Sequence, residues 1–476
     1  LTQRYALYPA SSAPGPSSSS TDPVSTPSQS TTEDPSHVRV AVIDLGSSSF
    51  HLLIAEASLD GQMIPTIVPV VRHRSMLHLG KVVAEEGYIP RDVVNHAMQV
   101  VRRHRASAQQ ERVTAVIVLA TAAIRDAANA VEIIKRLERA AGTNVRLLEG
   151  HEEARLIFIG QQAGLARLIT DAAGISLEDS GYSSSNALLP LKQRSGERHA
   201  PHFPHSILTM DLGGGSLELA FGSGDTPHWA SSVRIGVARL AGEFASSISP
   251  SDPLSLHDRR NIYRKVAKSL EPIKDYLRDS HPQLVSMSGG TARALGRLAE
   301  VIYKGSRDGY EYRVSNSNAD SSNALLLRGR AGHLPNIIQR MPSGSMVQES
   351  VTDTGNYDAR ASISRIDLRG ANNRYELDAG SGLGSSSSGL GLLHLHRVFS
   401  SYVVDINTVG KLASMLSSLD LPARLALAGV QARRAPLLPI GACIMHAVME
   451  ELSFDSLVIS EWGLREGAIV DFLLQS

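Results

Sequence analysis

The chain has 476 residues, 42% hydrophobic and 20% charged, enough to bury the cores of two or three globular domains. Its 47 basic and 47 acidic residues cancel, which argues against a general electrostatic surface for nucleic acid or membrane. A polyanionic ligand would need a local basic site. The single cysteine, Cys443, excludes an intrachain disulfide and a thiolate metal cluster and suits a reducing compartment.

Residues 1–37 include a Ser/Pro/Thr-rich stretch at 9–36, expected to be a disordered tail rather than a targeting leader. The longest apolar run, "VTAVIVLATAAI" (113–124), is too short to span a bilayer, so a cytoplasmic protein without membrane partners is expected. Order should begin near His37. "VRVAVIDLGSSSFHLLIAEA" (38–57) alternates apolar and polar residues around a glycine turn, which predicts a hairpin. The spacing in 92–110 predicts a helix, "VTAVIVLAT" (113–121) a buried strand, and 126–142 a helix closed by Gly142. A strand at "VRLLEG" then leads into a helix from His151 that is apolar on most sides and therefore expected to be buried. Such a βαβα order implies an α/β fold with helices covering a mixed sheet.

An internal repeat organises the sequence. "IDLGSSSFHLLIA" (43–55) and "MDLGGGSLELAFG" (210–222), about 170 residues apart, share Asp-Leu-Gly-x-x-Ser followed by an apolar-x-Leu pattern. "SMSGGTARAL" (286–295) is a weaker echo that leads into a helix and carries Gly289 and Gly290. Two copies of one hairpin predict two related lobes with facing glycine turns. Two stretches break the pattern, about 171–205 and 303–390, and are expected to be mostly disordered low-complexity insertions. "GSGLGSSSSGLG" (380–391) follows no strand and opens no helix, so it belongs to that low complexity rather than to a nucleotide site.

Glycine turns between strands expose backbone N–H groups that bind phosphate oxygens. Gly46, Ser47 and Ser49 in the first turn, and Gly213, Gly214, Gly215 and Ser216 in the second, are the candidate phosphate contacts. Asp211 and Glu218 flank the second turn and suit Mg²⁺ or another divalent cation, which takes one or two carboxylates beside water and phosphate oxygens. A capping Asp211 and a solvent-facing Glu218 are the plainer alternative. Glu152 and Glu153 lie in the first turn of a helix, where the helix dipole alone favours acids. A carboxylate there can instead orient and deprotonate a water at a cleft. Arg125 follows a buried strand and can fork onto a phosphate, or else lie in a surface turn.

In this order the motifs resemble the exopolyphosphatase/guanosine pentaphosphate phosphohydrolase (Ppx/GppA) family, in its short two-lobe form. "VAVIDLGSSSFHLLIA", "ATAAIRDAANA", "LLEGHEEARLIFIG", "MDLGGGSLELAFG", "SVRIGVARL", "SMSGGTARALGRL", "LPIGACIM" and "GLREGAI" carry the likeness. The resemblance implies an α/β fold of two actin-like (ribonuclease H-like) ATPase-superfamily lobes with substrate in an inter-lobe cleft. The lobes would span 38–150 and 151–476, with a C-terminal helix at about 463–475 packing back on the first. It also implies Glu153 as the catalytic residue and Asp211 and Glu218 as metal- and water-positioning carboxylates. Arg125 is implied as a phosphate contact, alongside the glycine turns. The implied reaction is Mg²⁺-dependent release of orthophosphate from inorganic polyphosphate, by a protein expected to be a homodimer.

The same cleft would serve a guanosine pentaphosphate 5′-phosphohydrolase, or a weakly catalytic sensor of polyphosphate or guanosine phosphates. A kinase of the same fold would need a phosphoryl acceptor. Ser48 stands where the family commonly has Asn, which implies an altered phosphate grip. Arg234 and Arg434 are further candidates to line the channel.

Overall fold

The computed structural model describes residues 6–7, 37–60, 63–173, 206–224, 226–244, 247–307, 311–313, 326–328 and 403–475. Nearly all of the N-terminal tail and of both expected insertions lies outside the described residues. The described residues between 300 and 387 belong to a unit of their own, in which Glu311–Arg313 pairs antiparallel with Leu326–Arg328. The other described residues form a single compact unit built on two sheets.

In the first sheet, β2 (Val38–Leu45), β3 (Ser49–Leu59) and β4 (Pro65–Met76) form an antiparallel meander. Strand β5 (Ala115–Ala120) runs parallel to β2, and β6 (Arg146–Leu147) parallel to β5. β6 reaches only Leu119 and Ala120, so the other end of that edge is open, and β1 (Ala6–Leu7) pairs there with Ala115 and Val116. This pair of residues departs from the disordered tail expected of 1–37.

The second sheet repeats the plan. Strands β7 (Ile207–Leu212), β8 (Leu217–Ser223) and β9 (Thr226–Val233) form the meander, and β10 (Leu284–Ser288) runs parallel to β7. With the pair in 300–387 counted as β11 and β12, β13 (Val403–Asp405) and β14 (Ser456–Ile459) complete the sheet, β14 parallel to β10. The orders 4-3-2-5-6 and 9-8-7-10-14 are the same order, so the sequence repeat is a structural repeat. These are two α/β lobes of one topology, the two-lobe architecture that the resemblance implies.

Period-two alternation divides the first sheet between two cores. Ala41, Ile43 and Leu45 face a core with Val94, Val101, Ile133 and Leu137. These come from α2 (Arg91–Gln110) and α4 (Ala130–Ala141), which follow α1 (Leu79–Glu86) and enclose the short α3 (Ala122–Arg125). Val40 and Val42 face the opposite side, where Leu156 of α5 (Gly150–Ala173) meets Ala468, Ile469 and Phe472. Further along α5, Phe158 packs with Ala220 and Leu165 with Ile207, on the second sheet. One helix thus serves both sheets, which is why its sequence is apolar on most sides. The second lobe adds α6 (Val237–Glu243), α7 (Leu256–Asp279) and α8 (Gly290–Arg307). Helices α9 (Ile406–Ser418), α10 (Leu421–Leu425), α11 (Leu438–Glu451) and α12 (Leu464–Leu473) follow.

The C-terminal helix α12 crosses α5 at two glycines, and it joins the core of the first sheet. A Cβ on Gly160 would sit 2.7 Å from the Gly467 nitrogen, and one on Gly467 would collide with the Leu156 carbonyl. Backbone meets backbone there, so neither helix can give way cheaply. Gly160→Ala is expected to destabilise the fold by more than about 2 kcal/mol despite its better helix propensity. A urea midpoint unchanged or raised in that variant would show that the crossing has slack.

Candidate active site

Asp44 and Asp211 occupy equivalent places at the ends of the first strand of each meander. Asp44 is paired across to His51, and Asp211 to Glu218. Both strands deliver their acids to one cavity of about 200 Å³ between the lobes. Glu153, Asp211 and Glu218 line it together with Gly46, Ser47, Ser49, Gly213, Gly214, Gly215, Ser216, Gly289 and Gly290. Arg125, expected on the phosphate, does not line it. Its Nη1 donates to the Leu148 carbonyl at 2.5 Å and to Glu153 Oε2 at 3.3 Å. Arg125 therefore stands behind Glu153 as its charge partner.

The glutamate pair is split by helix geometry. Glu152 turns outward to Arg146, while Glu153, 7% exposed, turns into the cavity. Adjacent helical positions lie about 100° apart, so only one of the two can face the cleft.

The second turn is shaped by the N-terminus of α6. Val237 N donates to the Gly213 carbonyl at 3.0 Å, and Ala238 N and Arg239 N donate to the Gly214 carbonyl at 2.9 and 3.0 Å. Arg239 Nε donates to the Gly215 carbonyl at 2.8 Å. A trans peptide points its N–H opposite to its C=O. Three carbonyls turned toward α6 therefore turn the N–H groups of Gly214, Gly215 and Ser216 the other way, as a nest for an anion requires.

The two turns face each other in direct contact. A Cβ on Gly214 would fall on Ser48 Oγ, and one on Gly215 would lie 2.5 Å from Ser47 Oγ. The glycines are needed because the lobes close at this point, and the open space lies beside the contact. In the first turn, Ser49 Oγ accepts from Arg74 Nε at 3.0 Å and lies 2.8 Å from His51 Nε2, whose Nδ1 is 3.5 Å from Arg465 Nη1. A proton on Nε2 gives every one of these contacts a donor and frees the Ser49 hydroxyl proton to point into the cleft. Gly289 has a φ of +101°, and a Cβ there would lie 2.6 Å from the Leu212 carbonyl. That left-handed turn is what allows β10 to deliver α8 to the cavity.

Burial governs the acids. It pushes Glu218 up to about 7, against hydrogen bonds from Ser216 and from Ser232 Oγ at 2.8 Å. Burial and the Glu218 charge push Glu153 well above the usual glutamate range, against the pull of Arg125. Asp211 is raised by burial, although Ser288 Oγ donates to its Oδ2 and Gln161 Nε2 in turn holds Ser288 Oγ at 2.9 Å. Asp44 keeps an opening to the cavity, yet burial and the facing Asp211 charge, against Arg465, bring it to about 6.

Facing these acids are Arg74, Arg293, Arg433, Arg434 and Arg465, all on the cavity wall. Burial and mutual repulsion lower Arg74 to about 10 and Arg434 to about 9, and hold His51 neutral, near 2. Among the described residues, no carboxylate lies within salt-bridge reach of Arg74, Arg433, Arg434 or Arg465, and the buried Arg434 Nε has no partner. Arg434 thus lines the channel, whereas Arg234 is directed at Asp126, 2.7 Å away. Sequence reasoning missed Asp44, Arg74, Arg293, Arg433 and Arg465. For Asp44 the signal was present, since the repeat aligns it with Asp211.

No three His, Cys, Asp or Glu residues among the described residues converge as a closed metal cage. Magnesium does not require one, because it retains waters and takes phosphate oxygens. Asp211 and Glu218 both line the cavity, and their hard oxygen donors would suit such an open site.

A sequence profile of the Ppx/GppA phosphatase family matches residues 55–184, 202–316 and 365–476. Exopolyphosphatase 1 of Mycobacterium tuberculosis is 23% identical over 437 residues, covering 91% of this chain and 88% of its own. That of Mycobacterium leprae is 24% identical over 269 residues, covering 55% and 65%. Among solved structures, an exopolyphosphatase from Cytophaga hutchinsonii aligns over 92% of this chain and 98% of its own, with a TM-score of 0.57 and 19% identity. The Ppx/GppA family member of Aquifex aeolicus aligns over the same shares, with a TM-score of 0.53 and 21% identity. These two likenesses concern the fold.

The raised acids carry a stability consequence. Glu218 has a folded value of about 7 against an ordinary 4.5, so the folded state holds the extra proton between those limits. The stability linked to that proton is present below about pH 4.5 and lost as pH rises through 7. With chelator present, Glu218→Gln should stabilise the protein by roughly 1–3 kcal/mol at pH 8 and by little at pH 5. Equal shifts in unfolding midpoint at the two pH values would contradict this.

Proposed function

The chain belongs to the Ppx/GppA phosphatase family, and from that premise we propose that it is an exopolyphosphatase, releasing orthophosphate from the end of inorganic polyphosphate with Mg²⁺ bound in the cleft. One observation carries the reading: a single cavity holds an amide nest, a set of raised carboxylates and five arginines, four of which have no carboxylate within salt-bridge reach among the described residues. Arginines that repel one another call for a ligand with several consecutive negative charges. A lone phosphomonoester would leave most of them unneutralised.

In this reading the terminal phosphate sits on the Gly214, Gly215 and Ser216 N–H groups, with the Ser47 and Ser49 hydroxyls nearby. The following phosphates run toward Arg74, Arg293 and Arg434. Glu153 orients a water and accepts its proton as the water oxygen bonds to the terminal phosphorus. The bridging P–O bond breaks, orthophosphate departs, and the polymer is one unit shorter with its new terminal oxygen facing the arginines. Magnesium held by Asp211 and Glu218 would supply charge neutralisation on the transferring group. Arg125 pulls Glu153 back toward its charged form, the form a general base requires.

Phosphate release from polyphosphate of defined length, with Mg²⁺ and again in EDTA, tests the reading. Guanosine pentaphosphate run in parallel distinguishes the nucleotide from the inorganic polymer. Glu153→Gln is expected to lose at least about 10²-fold in release while binding polyphosphate within about threefold of wild type. Near-normal turnover in that variant would remove Glu153 from its role. Tight binding by the wild type with no release at saturating Mg²⁺ would make the protein a sensor instead.

A further inference from the structure

We propose that Arg239 is a positioning residue for the second glycine turn, acting together with Asp126 of the opposite lobe. The proposal rests on the reading of the Gly214–Ser216 amides as the terminal-phosphate site. The backbone of α6 reaches only the first two of the three turn carbonyls: Val237 N holds Gly213, and Ala238 N and Arg239 N hold Gly214. The third, Gly215, is held at 2.8 Å by the Arg239 side chain through Nε. By peptide planarity, this bond sets the direction of the Ser216 N–H, the last donor of the nest.

The same guanidinium reaches across the lobe junction. Arg239 Nη2 donates to Asp126 Oδ2 at 2.6 Å, and both side chains are largely buried, 17% and 9% exposed. Asp126 follows Arg125, the residue paired with Glu153. A series of contacts therefore runs from Glu153 through Arg125 and Asp126 to Arg239 and the Gly215 carbonyl. It is complete only when the lobes are together, so nest geometry and the surroundings of the proposed base are set in one step. Arg234 supplies the contrast. It pairs with the other Asp126 oxygen at 2.7 Å, but it is 71% exposed and makes no bond to the turn.

The contrast gives the test. Binding of inorganic tripolyphosphate is followed by calorimetry in Arg239→Gln, Arg239→Lys, Asp126→Asn, Arg234→Gln and the Asp126→Asn/Arg239→Gln double variant. The kcat and KM for phosphate release are measured beside it. Arg239→Gln should weaken tripolyphosphate binding about 10-fold and lower kcat about 10²-fold, as expected for a displaced oxyanion donor. Asp126→Asn should do less, and should add little in the Arg239→Gln background. Arg234→Gln should stay within about twofold on both measures. If Arg239→Gln does not fold, Arg239→Lys, which cannot bridge both partners, carries the same expectation at smaller size.

Equal effects of Arg234→Gln and Arg239→Gln would overturn the proposal, since the role would then be a simple ion pair between lobes. So would independent, additive effects of the 126 and 239 changes. A wild type that binds tripolyphosphate but releases no phosphate would defeat the hydrolase reading, while the binding series still decides the positioning role. A wild type that binds no tripolyphosphate would defeat both.

Discussion

The cleft depends on three carbonyls that are turned away from it. Backbone carbonyl oxygens at a phosphate site would repel the ligand, and here each of those at 213–215 is held by a donor from α6. Once they are captured, planarity leaves the amides no direction but outward. The absence of side chains at Gly214 and Gly215 lets the opposing turn approach to contact at Ser47 and Ser48. Backbone hydrogen bonding, glycine and lobe closure are therefore one constraint seen from three sides.

Around that constraint the fold gathers charge it does not neutralise. Asp44, Glu153, Asp211 and Glu218 are surrounded by protein, and burial raises all four. On the wall, burial and the neighbouring arginine charges lower Arg74 and Arg434, and neither pairs with those acids. Buried ionisable groups cost stability unless paired, and such perturbed groups concentrate where a charged ligand or a proton transfer uses them. The rest of the molecule supplies the rigidity that offsets this cost. Helix α5 packs on both sheets, α12 locks onto α5 through the Gly160–Gly467 contact, and the fully buried Arg424 ties five carbonyls around the segment that carries Arg433 and Arg434.

Elements with strong periodicity were legible in the sequence. The β2–β3 and β7–β8 hairpins, the all-apolar β5 and the buried α5 all follow from patterns that span many residues. The cavity acids beside the second turn were legible for a related reason, because an acid next to three glycines has little to gain from packing. Asp44 was not read, although it stands in the same frame as Asp211, because its turn lacks the glycine triplet that drew attention to chemistry. Arg74 lies near the end of a strand whose middle, from Val68 to His73, is mostly exposed, and nothing local separates it from Arg72. Arg125 was read as a phosphate ligand, since a helix start after a buried strand suits that role equally well.

Sequence alone determined the duplicated lobe, the two glycine turns and the presence of acids at strand ends, because period, turn chemistry and repeat frame are local properties. Only the tertiary structure showed Glu153 turned inward and Glu152 outward, and only it decided that the turns touch, that five arginines share one wall, and that Asp126 bridges to Arg234 and Arg239. The last three depend on contacts between residues from about 100 to over 300 positions apart, and no local pattern encodes a distance across a lobe junction.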